Sequence, residues 1–95
     1  PVFRGCCHSG GSLEFDSKGN LFISLGDDTT PFESDNYNPI DERAGRPGNV
    51  DAQKTSGNSN DLRGSILRIT PQPDGTYTIP EGNLFPPGTP NTRPE

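Results

Sequence analysis

From Gly26 to Arg63 the chain runs without apolar periodicity, and that stretch limits every fold open to it. Asp, Asn, Ser, Thr, Pro and Gly dominate it, with Phe32, Tyr37, Ile40, Val50 and Leu62 scattered through. Pro31, Pro39 and Pro47 interrupt any helix in its first part, and Gly48, Gly57 and an Asn/Ser-rich run discourage one in the rest. A structureless segment of this length inside a domain is usually functional or disordered. Only 25% of the 95 residues are hydrophobic, while 12 are Gly and 11 are Pro, so little burial is available to offset the entropy of ordering. Such a chain is a poor candidate for an independent globule.

Order is expected on either side of that stretch. Ser12–Phe15 alternates, with Leu13 and Phe15 pointing one way, and residues 21–25 alternate with Leu21, Ile23 and Leu25 opposite Phe22 and Ser24. The connector 16–20 holds Gly19, which can take the positive φ of a short hairpin loop. A third strand is expected over 64–70, with Ile66 and Arg68 on one side and Leu67 and Ile69 on the other. A turn with Asp74-Gly75 at its tip leads to a fourth strand over 76–79. The tail 80–95 carries five prolines and reads as extended, polyproline-like or irregular, with Leu84 and Phe85 as its expected anchor. The prediction is an all-β chain: two hairpins forming one four-stranded antiparallel unit, separated by the long polar loop 26–63.

Composition narrows the function classes. A net charge of -5 with no Lys/Arg cluster argues against nucleic acid as a partner. Leu21-Phe22-Ile23 is the longest apolar run, far short of a membrane span. The chain begins at Pro1 with no charged-then-apolar leader, so no signal peptide is visible and an internal piece of a longer polypeptide is expected. The only histidine, His8, and the only two cysteines, Cys6 and Cys7, sit at the mouth of the first hairpin. On spacing alone His8 reads as an ordinary turn histidine.

The motifs His8-x-Gly10-Gly11-x-Leu13, Phe15-Asp16-x-x-Gly19-x-Leu21-Phe22-Ile23-Ser24-x-Gly26-Asp27, Ala52-Gln53, Leu62-Arg63-Gly64-x-Ile66-Leu67-Arg68-Ile69 and Ile79-Pro80-x-Gly82-Asn83-Leu84-Phe85 follow one another in this order. Together they resemble the glucose/sorbosone dehydrogenase family, quinoproteins that use pyrroloquinoline quinone (PQQ) and include the soluble aldose sugar dehydrogenases. The resemblance implies a six-bladed β-propeller, of which residues 1–95 would supply about one blade. It implies PQQ and calcium as cofactors of the parent protein, with none expected on the isolated fragment. An aldose sugar and an electron acceptor become the parent's partners, and its location periplasmic or secreted.

The resemblance also assigns His8 as the general base that takes the proton from the sugar's anomeric hydroxyl. An imidazole titrating near neutrality in a Gly-rich neighbourhood suits that task. Relatives among the soluble glucose dehydrogenases place an aspartate immediately before the histidine, where this chain has Cys7, and a polar partner farther along falls near Phe32. Cys6 and Cys7 could close a vicinal disulfide beside the quinone, as in some larger quinoprotein alcohol dehydrogenases; a pair of thiols is the other reading.

Asp27, Asp28, Glu33, Asp35, Asp41 and Glu42 invite a calcium reading, but their spacing fits no EF-hand loop, so a solvated acidic loop with no metal is expected. Arg63, Arg68 and Arg43 are not carried over as quinone ligands. A second class of function is a self-assembling structural chain, fibril-like and without catalytic activity. In that reading exposed strand edges recruit further copies, and residues 21–25 and 65–70 stack in a cross-β arrangement.

Overall fold

The computed structural model describes residues 8–32 and 34–95. Within them the chain is all-β: β1 (Gly10–Phe15), β2 (Leu21–Leu25), β3 (Ile66–Pro71) and β4 (Tyr77–Thr78) form one open antiparallel sheet in the order β1-β2-β3-β4. The expected pair of hairpins is thus a single four-stranded meander, with β4 shorter than its alternating sequence suggested. Among the described residues no helix is long and apolar enough to cross a membrane.

Local chemistry closes both hairpins. The Asp16 carboxylate accepts the Lys18 and Asn20 backbone N–H groups at 2.8 and 2.9 Å and the Asn20 side-chain amide at 2.9 Å, while Gly19 turns at φ 83°. Buried Asn20 in turn accepts from Thr70 Oγ1 at 2.7 Å, which ties the first hairpin to β3. At the other end Asp74 accepts from the Thr76 N–H and hydroxyl at 3.0 and 2.6 Å around Gly75. Both tips use a carboxylate to fold the backbone on itself.

Register sorts the side chains. Leu13, Ile23 and Leu67 form one row across the sheet, and Phe15, Leu21 and Ile69 form the next, so six apolar residues share a face. Glu14, Phe22 and Arg68, with Ser12, Ser24 and Ile66, occupy the other. Neither face is well covered: Leu13 and Phe15 remain 64% and 59% exposed, and among the described hydrophobic residues only Val50 and Leu67 are buried.

The long polar segment departs from a solvated loop. Its two ends meet where Gly64 N–H donates to the Gly26 carbonyl at 2.8 Å, and short 3-10 turns at Ser34–Asn36, Gly48–Val50 and Ala52–Lys54 fold the interior. Asp41, expected among solvated acidic residues, is fully buried. Its carboxylate accepts from Arg43 Nε and Nη2 at 2.9 and 2.8 Å, from Arg46 Nε at 3.0 Å, and from the Ser34 hydroxyl. The Arg43 guanidinium holds that carboxyl well below the usual carboxylate range, against the upward push of burial. Arg43 also stacks on the Tyr37 ring at 4.1 Å. Backbone pairing follows: Asp41 N–H donates to the Val50 carbonyl at 2.9 Å and Ala52 N–H to that of Pro39 at 2.7 Å, beside the Ile40–Asp51 bridge.

The tail is anchored by polar groups rather than by Leu84, which is 84% exposed; Phe85 is half-buried. Asn83 Nδ2 donates to the carbonyls of Arg68, Pro94 and Glu95, and Arg68 N–H donates to the Glu95 carbonyl at 2.6 Å. Residues 93–95 therefore return against β3, with Ser59 accepting the Arg93 N–H. Glu95 also accepts from Arg93 Nη2 at 2.7 Å and from the Tyr77 hydroxyl at 2.8 Å. Pairing with Arg93 outweighs burial and brings the Glu95 carboxyl down to about 2. A carboxyl depressed in the folded state contributes stability above its unfolded value, near 4.5, and that contribution fades as pH falls toward about 2. In an acid titration the Tyr77 ring resonances should hold their position down to pH 4.5 and move to exposed-ring values only as pH approaches 2; release of Tyr77 above pH 4.5 would contradict this docking.

Candidate functional site

His8 is brought to the end of β2 by an irregularity in the ladder. At the Phe15 end, pairing runs Phe15–Leu21 through Ser12–Ser24, but the register shifts between Gly10 and Ser12 so that Gly10 faces Leu25. Gly10 and Gly11 take φ of 68° and 117°, which suits a glycine bulge. Beyond the bulge the His8 side chain meets that of Asp27. The backbone then continues past the strands: Gly26 N–H donates to the Ser9 carbonyl at 2.9 Å and Asp28 N–H to that of His8 at 3.1 Å. A Cβ on Gly26 would lie 1.5 Å from the His8 carbonyl oxygen, so only glycine permits this approach.

The result is a histidine–carboxylate pair. His8 Nδ1 lies 2.9 Å from Asp27 Oδ1, with the imidazole 60% exposed and the carboxylate side chain 20%. Asp27 Oδ1 also accepts the Thr29 N–H at 3.0 Å. Burial pushes the Asp27 carboxyl up, but the Thr29 backbone N–H and the His8 ring help bring it below its ordinary value. Ionised Asp27 favours a proton on Nδ1, which leaves the Nε2 lone pair directed away from the carboxylate.

Beside His8 lies a cavity of about 290 Å³ lined by His8, Thr29, Thr30, Pro31, Asn36, Asn38 and Pro39. The loop fold supplies this wall: Thr30 N–H donates to the Asn49 carbonyl at 3.0 Å, and Asn38 Nδ2 donates to the Thr30 carbonyl. Among the described residues, hydroxyls, amides, two proline rings and the His8 imidazole line the cavity, with no permanently charged side chain. That lining suits a small neutral ligand rich in hydrogen-bonding groups. A larger groove of about 620 Å³ lies between β2, β3, the Ser56–Leu62 segment and the tail, and His8 is not part of its lining.

The remaining residues singled out from the sequence fall elsewhere. Cys6, Cys7 and Glu33 lie outside the described residues. Phe32, the position matched to a polar partner, is 81% exposed and does not line the His8 cavity. The acidic residues are engaged separately rather than gathered: Asp28 lies 3.9 Å from Arg63, Asp35 pairs with Arg43, and Glu42 accepts from Gln53 Nε2 at 2.5 Å. No group of three or more His, Cys, Asp or Glu able to hold a metal ion occurs among the described residues. Arg63 is taken by Asp61 at 2.8 Å, and Arg68 by Asn83 and the Glu81 carbonyl.

A tricarboxylate quinone needs cationic groups or a hard cation against its carboxylates. The described residues around His8 supply neither, so they do not fit PQQ by themselves. The residue that sequence reasoning missed is Asp27. Its spacing groups it with the acidic loop, and the resemblance directs the search for a partner of His8 to position 7; a ring–carboxylate contact of this kind leaves no periodic mark in the sequence.

Comparison of the chain with protein-family models, with curated proteins and with solved structures gave no match. The site is therefore defined by its geometry. With Nδ1 against Asp27, nitrogen NMR of the neutral His8 ring should show the proton on Nδ1 and Nε2 bare. Asp27→Asn should abolish that preference; an unaltered tautomer ratio would contradict the pairing.

Proposed function

We propose that this chain contributes a general base to the oxidation of an aldose at its anomeric carbon, as part of a PQQ-dependent sugar dehydrogenase of which the four-stranded sheet is about one propeller blade. The observation that supports the reading is the His8–Asp27 pair at 2.9 Å, set at the mouth of a neutral, hydroxyl- and amide-lined cavity. Its Nε2 accepts the proton of the sugar's anomeric hydroxyl, and the charge that appears on the imidazole is met by the Asp27 carboxylate. The hydrogen on the anomeric carbon leaves with its electron pair to an acceptor. The resemblance implies PQQ, with calcium, as the group that would supply that acceptor, and its carboxylates would need cationic partners beyond those described around His8. The same resemblance favours a periplasmic or secreted location.

His8→Gln in the complete quinoprotein carrying this segment should lower kcat by about 10²- to 10⁴-fold, the usual contribution of a positioned base, with the KM for sugar little changed. A variant retaining full kcat would overturn the role.

The exposure of β1 favours a second reading. All six of its residues are exposed, its outer edge has no strand partner among the described residues, and Leu13 and Phe15 stand uncovered beside it. An isolated chain with that edge would pair with copies of itself and act as a self-assembling, fibril-like structural chain. Sedimentation of the isolated chain separates the readings, since a clean monomer removes the second.

A further inference from the structure

One buried group beside the candidate base is left without a partner. Thr29 is 3% exposed, and its Oγ1 makes no hydrogen bond among the described residues. Buried hydroxyls are nearly always satisfied, and an orphan costs free energy comparable to a lost hydrogen bond. The residue is not idle, because its own N–H already donates to Asp27 Oδ1, the oxygen that also meets His8 Nδ1. Two donors therefore converge on one oxygen of a mostly buried carboxylate, and a third sits on the residue that supplies one of them.

We infer that Thr29 is the positioning residue of the His8–Asp27 pair: its hydroxyl, by a turn about χ1, donates to the Asp27 carboxylate and keeps it ionised and facing Nδ1. A carboxylate held at one oxygen by a backbone N–H and an imidazole can still turn about that oxygen and take up a proton at the other. A hydroxyl anchored in the protein interior opposes both, because it stabilises the charged form without exchanging with solvent. The surroundings of the pair are ordered: Thr30 N–H is tied to the Asn49 carbonyl, and Gly64 packs against Asp27, where an added Cβ would stand 3.2 Å from the Asp27 Cβ.

The other charged groups near Asp27 do not fill this role. His8 approaches from the segment before β1. Asp28 follows on the same turn and is drawn toward Arg63, whose guanidinium lies 3.9 Å away and is already held by Asp61. Neither Asp28 nor Arg63 hydrogen-bonds to the Asp27 carboxylate, so Thr29 and His8 are its side-chain neighbours of consequence.

This inference rests on His8 and Asp27 as the acid–base pair, but its test reads a titration rather than turnover, so the two can fail separately. Carbon-detected NMR of the labelled chain follows each aspartate carboxyl through acid pH. Thr29→Val keeps the side-chain shape and removes the hydroxyl; the Asp27 titration should move upward by about half a unit to one unit, and Thr29→Ser should restore it. Asp16 and Asp61, whose carboxyls are lowered by Asn20 and Arg63 respectively, serve as internal controls and should not move. An unmoved Asp27 in Thr29→Val, or a Thr29→Ser chain that titrates like the valine variant, overturns the role. Should Thr29→Val fail to fold, Thr29→Cys against Thr29→Ser decides the matter: the weaker thiol donor should leave Asp27 titrating above its value in the serine chain, and equal values would refute the inference.

Discussion

One buried carboxylate organises the long polar segment on which the site depends. Asp41 gathers two arginines and a serine hydroxyl around itself in a segment that has almost no apolar material to bury. An unpaired charge in that position would be prohibitive, so the carboxylate and its partners are interdependent: removing one strands the others. The rest of the buried interior is of the same kind. Thr29, Thr30, Ser34, Asp51 and Thr55 are inside, against Val50 and Leu67 alone among the described apolar residues. Directional polar contacts here perform the task that apolar packing performs in most domains, and they specify one arrangement because each donor must find its acceptor.

The site depends on that arrangement through a short series of contacts. Asp41 N–H holds the Val50 carbonyl; the neighbouring Asn49 carbonyl holds Thr30; and Thr29 holds Asp27, which faces His8. The wall of the cavity at Thr29, Thr30, Asn38 and Pro39 is therefore positioned by a charge cluster that does not line it. His8 itself comes from the other direction, carried over Gly26 by the bulge at Gly10-Gly11. Two independent segments meet at one carboxylate.

These differences in cause explain what could be read from the residues. Alternation of Leu13 and Phe15, of Leu21 and Ile23, and of Leu67 and Ile69 made the strands and their faces visible, because a sheet imposes a two-residue period on whatever it buries. The order inside 26–63 left no such mark: a carboxylate at 41 finding arginines at 43 and 46 and a serine at 34 has no repeat, and the same residues read equally well as a solvated acidic loop. Asn83 was overlooked for a similar reason, since one amide holding three carbonyls looks in sequence like any polar residue before Leu84 and Phe85. His8 reads as a base only through the family resemblance, and its contact with Asp27 is a side-chain pairing that the alternation of the strands does not mark.

Amide hydrogen exchange tests most directly whether the buried carboxylate at 41 orders the polar segment and, through it, the wall beside His8. In the unaltered chain the amides of Thr30, Asp41 and Ala52 should be protected, because each donates to a carbonyl within that segment. Asp41→Asn should remove that protection while the amides of β2 that pair with β3 retain theirs. Free exchange at Thr30, Asp41 and Ala52 in the unaltered chain, or protection that survives Asp41→Asn, would contradict the account.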